Sequence, residues 1–219
     1  PAYDEDAMLI EVELLLDWYL PHHRMPVTED MRAHYVSLWH EALQVALDSQ
    51  PTWVMRDFHS PNLIWLPERK GIARVGLLDF QDALLGPAAY DLASLLQDAR
   101  VDVPELMEVE LLGNYVKQRS AVDADFDPAG FIRIYATMAA QRASKILGIF
   151  ARLNKRDGKP QYLRHIPRVW GYLQRSLAHP SLEALKDWYT EHVPVPEAQP
   201  QPEEPATESA AAVPEAGNA

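Results

Sequence analysis

The sequence predicts an α+β fold, mainly helical, in which a small strand cluster carries the chemically active loop. Three observations predict it: long stretches with apolar residues at the spacing of one helical face, one short β-prone stretch between them, and a dense set of unusual polar residues confined to that stretch. The 219 residues, 47% of them hydrophobic, suffice for a substantial core. A formal charge of −12, from 32 acidic against 20 basic side chains, works against a broad surface for nucleic acid or anionic membrane. No apolar run approaches the roughly 20 residues that span a bilayer. The absence of cysteine excludes a disulfide scaffold, a thiolate zinc site and a cysteine nucleophile, and fits a reducing compartment.

The elements follow in order. Met8, Leu9, Val12, Leu15, Leu16 and Tyr19 share one helical face, and Tyr35, Leu38, Trp39, Ala42, Leu43 and Ala46 share another. Two amphipathic helices result, joined through a loop from Pro21 to Pro26, with Thr28 as the cap of the second. Trp53-Val54-Met55, Leu63-Ile64-Trp65-Leu66 and the run from Ala73 to Leu78 predict three short strands, with a turn from Pro67 to Gly71. Helix returns over 88–99, 104–119, 128–150, a segment after Pro167, and 181–190, with Pro104 and Pro128 placed as first-turn prolines. Trp53, Trp65, Trp170 and Trp188 could stack on a sugar ring, but at strand or helical spacing tryptophans are more often core, and they are expected there. From Pro194 onward, six prolines and five glutamates accompany no Lys, Arg or aromatic residue, which predicts a disordered tail over 194–219 after a folded unit of 1–193. Without the tail's five glutamates the charge is −7. The start, Pro1-Ala2-Tyr3, carries neither an initiator Met nor a signal pattern, so the chain is expected to begin partway through something larger.

The strand cluster holds Arg56-Asp57-Phe58-His59-Ser60-Pro61-Asn62, then Asp79-Phe80-Gln81-Asp82, then Tyr90-Asp91. Asp57 and Asn62 flank a loop between two strands and Asp79 ends the next, so a compact sheet brings the three together. Magnesium takes hard oxygen ligands and is held by a few side chains plus substrate phosphates. Asn62 and Asp79 supply such oxygens, leaving Asp57 to orient a substrate hydroxyl and accept its proton during phosphoryl transfer. A single Asp at a strand end is more often a turn former or helix cap. Here the order D-x-H-x-x-N, a strand ending in D-F, and Y-D opening a helix all agree.

These residues resemble the catalytic loop and metal-binding segment of the aminoglycoside phosphotransferase and choline kinase superfamily, relatives of the protein kinases. The pattern extends through Gly86-Pro87, Ser94-Leu95-Leu96-Gln97-Asp98, Gln141-Arg142 and Arg156-Asp157-Gly158-Lys159, over nearly all of residues 3–190. That longer pattern is similar to bacterial anomeric sugar kinases that phosphorylate N-acetylmuramate and N-acetylglucosamine in cell-wall recycling. The resemblance implies a protein-kinase-like C-terminal lobe, ATP and Mg2+ as cofactors, a sugar and a nucleotide as small-molecule partners, and a cytoplasmic enzyme. It assigns Asp57 as catalytic base, Asn62 and Asp79 as magnesium ligands, and Asp91, with Arg56, as support of the loop. Two positions depart from the family: Met55 stands where many members have histidine, and Gln81 replaces the glycine of the protein-kinase version.

A kinase of this type also needs a smaller lobe with a phosphate-covering loop and a strand lysine. No two glycines lie closer than five residues, and all six lysines follow the loop of Asp57. The chain is therefore expected to be the C-terminal lobe without its N-terminal lobe, and inactive alone. On the substrate side the candidates are His59, Asp82 and Arg142. Arg142 and Lys145 continue the apolar stripe of Phe131, Ile134, Tyr135 and Met138, where a cation is costly unless paired or facing a cleft. Arg142 meets either a substrate substituent such as the lactyl carboxylate of N-acetylmuramate or an ion-pair partner, Asp82 or Asp91. His59 holds either a sugar hydroxyl or its own loop, and Asp82 either substrate or the turn before Gly86. Alternatives to the sugar kinase are an aminoglycoside or choline kinase and a pseudokinase or regulatory binding module.

Overall fold

Both N-terminal helices begin on the side chains suited to cap them. At the start of α1 (Glu5–Leu14), Asp4 accepts the Ala7 N–H at 3.0 Å, and at the start of α2 (Glu29–Leu47) Thr28 accepts the Met31 N–H at 3.2 Å. The computed structural model describes residues 1–196, so the expected tail lies outside the described residues from 197 onward. Beyond Leu14 the first helix continues through a π turn (Leu15–Tyr19) into a last turn (Leu20–His22), with Leu15, Leu16, Tyr19 and Leu20 buried throughout. The expected Pro21 loop therefore starts later, after His22, with Pro21 inside the last turn of the helix.

Four short strands form two separate antiparallel ribbons, not the single compact sheet expected. β1 (Pro51–Val54) pairs with β4 (Leu84–Pro87) from Pro51↔Pro87 to Val54↔Leu84, and β2 (Leu63–Trp65) pairs with β3 (Val75–Leu77) from Leu63↔Leu77 to Trp65↔Val75. The first two residues of the expected Ala73–Leu78 strand, Ala73 and Arg74, lie in a 3-10 turn, Gly71–Arg74.

The helical remainder comprises α3 (Ala89–Leu96), α4 (Glu105–Val122), α5 (Pro128–Asp157), α6 (Ile166–Leu177) and α7 (Glu183–His192). Pro128 occupies the first turn of α5 as expected, whereas Pro104 is the residue before α4. The core is built around α5, which packs on α1, the π turn, α3 and α6. Gly148 permits the contact with α1: a Cβ there would lie 2.3 Å from the Leu14 carbonyl carbon. α5 runs seven residues beyond the expected 150 because its stop is Gly158, in the left-handed region at φ 63°, not the end of the apolar stripe. Trp188 joins the core at 2% exposure, but Trp53 and Trp65, at 71% and 59%, lie on the surface against expectation. Among the described residues no helix is long and apolar enough to cross a membrane.

Candidate active site

The loop that follows β1 is bent sharply and held by buried carboxylates. Arg56 adopts φ 66°, an uncommon conformation for a residue with a Cβ. It is fixed by Asp91 in the first turn of α3, whose two oxygens accept the Met55 N–H at 2.6 Å and the Arg56 N–H at 3.0 Å. Burial raises the Asp91 pKa, and these two N–H donors oppose the rise. The far end of Arg56 donates to Glu11 Oε1 at 2.7 Å. On the other side of the loop, Asp98 accepts N–H groups from Ser60 at 2.9 Å, Arg100 at 2.8 Å and Val101 at 3.3 Å. Burial would raise the Asp98 pKa, but the three donors outweigh it and hold the carboxyl below its ordinary range.

Between these two anchors Asp57 presents an exposed side chain. Its backbone carbonyl accepts the His59 N–H and the Asn62 side-chain Nδ2, both at 3.0 Å. Since Asn62 spends its amide nitrogen on that bond, its Oδ1 is the atom left for a ligand. The β2–β3 ribbon brings the third residue in, for the Leu78 N–H donates to the Asn62 carbonyl at 2.9 Å and Asp79 follows directly. Asp79 is also left-handed, at φ 57°, and Gln81 Nε2 donates to its Oδ1 at 2.5 Å. One amide oxygen and one carboxylate form a hard-oxygen pair that fits magnesium when phosphate oxygens and water complete the shell. Among the described residues no group of three or more His, Cys, Asp or Glu is placed to hold a metal.

A cleft of about 100 Å³ opens beside Asp57, with His59, Arg100, Arg142, Lys145 and Tyr90 among its walls. Two larger concavities, about 640 and 790 Å³, lie between α1 and α2 and beside the α4–α5 turn, and neither contains a residue of the Asp57 loop. Three expected residues, Asp57, His59 and Arg142, thus share one cleft. Asp82 does not: it lies exposed in the turn before β4. Arg142 donates to the Gln97 carbonyl at 3.3 Å, not to Asp82 or Asp91, and Lys145 donates to Glu11 at 2.7 Å and to Tyr90 at 3.2 Å. Burial and Arg100 lower the His59 pKa, keeping the ring neutral. Arg100 must donate to His59 Nε2, 2.9 Å away, so the ring proton is assigned to Nδ1.

Glu11 was not among the expected residues, yet it accepts from Tyr3, Arg56, Gln141 and Lys145 at the junction of α1, the loop and α5. Burial alone would raise its pKa; Lys145 and the donors from Tyr3 and Gln141 bring it below the ordinary carboxylate range. A signal was present, since Glu11 falls on the face of Met8, Val12 and Leu15, where a carboxylate must be paired. Asp98 lies within the 94–98 part of the family pattern with no role assigned to it there, and Arg100 carries no signal.

A family model described as "Phosphotransferase enzyme family" matches residues 1–129. The chain is 39% identical over 194 residues to the N-acetylmuramate/N-acetylglucosamine kinase of Caulobacter vibrioides, covering 89% of this chain and 52% of that protein. Proteins of the same name from Pseudomonas aeruginosa and Neisseria meningitidis serogroup B are 36% and 38% identical over 189 and 183 residues, covering 84% and 80% of this chain and 54% and 52% of theirs. The chain spans about half the length of the curated relatives it matches.

Proposed function

The chain belongs to the phosphotransferase enzyme family, and from that premise we propose that it carries the catalytic loop of an ATP- and magnesium-dependent kinase acting on the anomeric hydroxyl of an amino sugar. The observation that carries the reading is the bond from the Asn62 amide to the Asp57 carbonyl, which ties the proton acceptor to one of the two magnesium-holding residues. Asp57 accepts the hydroxyl proton as the sugar oxygen bonds to the terminal phosphorus of ATP and the bond to the leaving ADP oxygen breaks. Asn62 and Asp79 hold magnesium, which when bound offsets the charge on the transferring phosphoryl group. Arg56 and Asp91 fix the loop, and His59 and Arg142 face the acceptor. Asp82 is not assigned to the acceptor site.

The substrate class comes from the names of the relatives, N-acetylmuramate/N-acetylglucosamine kinases. The cleft supports it: its lining includes Arg100 and Arg142, neither paired with a carboxylate among the described residues, which disfavours the cationic acceptor of an aminoglycoside or choline kinase. A second lobe carrying the phosphate-covering loop and strand lysine is part of this proposal, and with it the expectation that these 219 residues alone turn over little. Support comes from the exposed apolar side chains of the β2–β3 ribbon and the segment after it, with Ile72 at 96% and Phe80 at 58% exposure.

Phosphorus NMR of the full-length enzyme with ATP, Mg2+ and each acceptor tests the proposal. A sugar 1-phosphate signal is expected from N-acetylmuramate and N-acetylglucosamine and none from kanamycin or choline phosphorylation. Transfer to kanamycin or choline instead would overturn the sugar reading, and no transfer to any acceptor would favour a binding module.

A further inference from the structure

We infer that the cleft beside Asp57 contains a carboxylate-recognition pocket, formed by Arg100 at its rim and Arg142 at its floor, which selects the acidic amino sugar over the neutral one. The inference rests on the sugar-kinase reading and adds to it the specificity residues.

The four cations of the cleft divide into two pairs. Arg56 and Lys145 are paired, sharing one carboxylate, both ending on Glu11 Oε1 at 2.7 Å. Arg100 and Arg142 have no carboxylate within 4.0 Å among the described residues: Arg100 spends a donor on His59 and Arg142 one on the Gln97 carbonyl. Arg142 is 7% exposed, so its charge lies where an uncompensated cation is costly, and its fork keeps donors beyond the one spent on Gln97. The remaining acids nearby are already engaged. Asp98 accepts three backbone N–H groups and Asp91 two, while Asp57 is reserved for the acceptor proton. His59 adds no negative charge, and its Nδ1–H is buried without an acceptor in the chain. The pocket thus supplies guanidinium donors that no carboxylate among the described residues meets directly, with Asp57 and Asp98 in the same lining and Asp91 acting on Arg142 only at longer range.

Size narrows the ligand. The cleft is small, about 100 Å³, and suits a substituent of a few heavy atoms. The ring then sits at the mouth, with its anomeric hydroxyl toward Asp57, and a side group enters. A lactyl ether on the ring carbon two away from the anomeric carbon presents a planar carboxylate of that size, which a guanidinium fork matches with paired N–H donors. N-acetylglucosamine carries a hydroxyl there and leaves both guanidiniums unmatched.

The test measures kcat and KM of the full-length enzyme for N-acetylmuramate, its uncharged lactyl methyl ester and N-acetylglucosamine, in wild type, Arg100→Gln, Arg100→Lys and Arg142→Gln. The wild type is expected to prefer the acid to its ester. The ratio of kcat/KM for acid over neutral sugar should fall at least tenfold in both Gln variants, chiefly through KM, and Arg100→Lys should recover part of it. A merely structural loss would lower all three substrates together, and an unchanged ratio, or a wild type blind to esterification, overturns the inference. If neither sugar is phosphorylated, the kinase reading fails separately. Calorimetry then decides the pocket: tighter binding of acid than ester upholds it, and equal binding overturns it.

Discussion

The two ribbons of this molecule are both short and antiparallel, four and three residue pairs long, but have opposite surroundings. β1–β4 is fastened to the helical core: Val54 is fully buried, the Tyr3 N–H donates to the Leu85 carbonyl at 2.8 Å, and Gly86 leaves room for the Tyr3 side chain. β2–β3 has no such backing. Ile64, Trp65, Val75 and Leu77 are all exposed, and Trp65 is covered mainly by the Arg74 guanidinium 4.3 Å from its ring centre. The loop of Asp57 runs from the fastened ribbon to the free one. Its end with Asp57, the proposed proton acceptor, is therefore fixed by the core, through Asp91, Asp98 and Glu11, while the residues proposed to hold magnesium sit on the part with least support. Positioning of Asp57 is a property of the helical fold, whereas Asn62 and Asp79 sit beside a ribbon whose apolar side chains are exposed, where the proposed second lobe would add support.

The sharpest way to break this comparison is to remove the fastening at Glu11. Glu11→Ala leaves Lys145 and Arg56 beside each other without their carboxylate, and should cost about 3–5 kcal/mol in chemical denaturation. Loss of less than about 1 kcal/mol would show that the loop is not fastened there.

A paired truncation compares the ribbons directly. Val54→Ala removes buried methyl groups and should cost roughly 2 kcal/mol, whereas Ile64→Ala should stay within about 0.5 kcal/mol, because its side chain is already half in water. Equal costs would erase the distinction.

The smallest effect is a pH slope. His59 is held below the ordinary value of about 6.5 by burial and by Arg100, so the unfolded chain takes up its proton first as pH falls. Its contribution is present above about pH 6.5 and is lost as pH falls through the window down to the lowered folded value. His59→Gln should flatten that acid-side slope in denaturation midpoints. His165, lowered by burial and by Arg164 and Arg168, leaves part of the slope in place. An unchanged slope would mean that His59 is protonated alike in both states.

The fastened parts were the more legible in sequence, for a physical reason. Helices announce themselves through periodic burial, so α1, α2 and α5 could be placed from their apolar faces, and Thr28 from its capping chemistry. The order Asp57, His59, Asn62, Asp79 and Asp91 marked the loop because consecutive polar residues rarely interrupt strands without cause. β4 was not foreseen: Leu84–Pro87 is four residues with Gly and Pro, too short for a period, and its partner β1 lies over 30 positions away. Non-local pairing also explains two ribbons in place of one sheet. Trp53 and Trp65 misled because apolar character predicts burial only where a neighbour exists to supply it. Arg100 could not be singled out, since its significance comes from facing Arg142 across a cleft, a relation that spacing does not encode.

The central claim, that the core-fastened end of the loop carries the proton acceptor, is tested most directly by Asp57→Asn in the full-length enzyme, with kcat for N-acetylmuramate measured at saturating ATP and Mg2+. The substitution keeps size and backbone contacts, so the account predicts a fall in kcat of at least ~100-fold with the KM for sugar little changed. A variant retaining kcat within about threefold of wild type would contradict it.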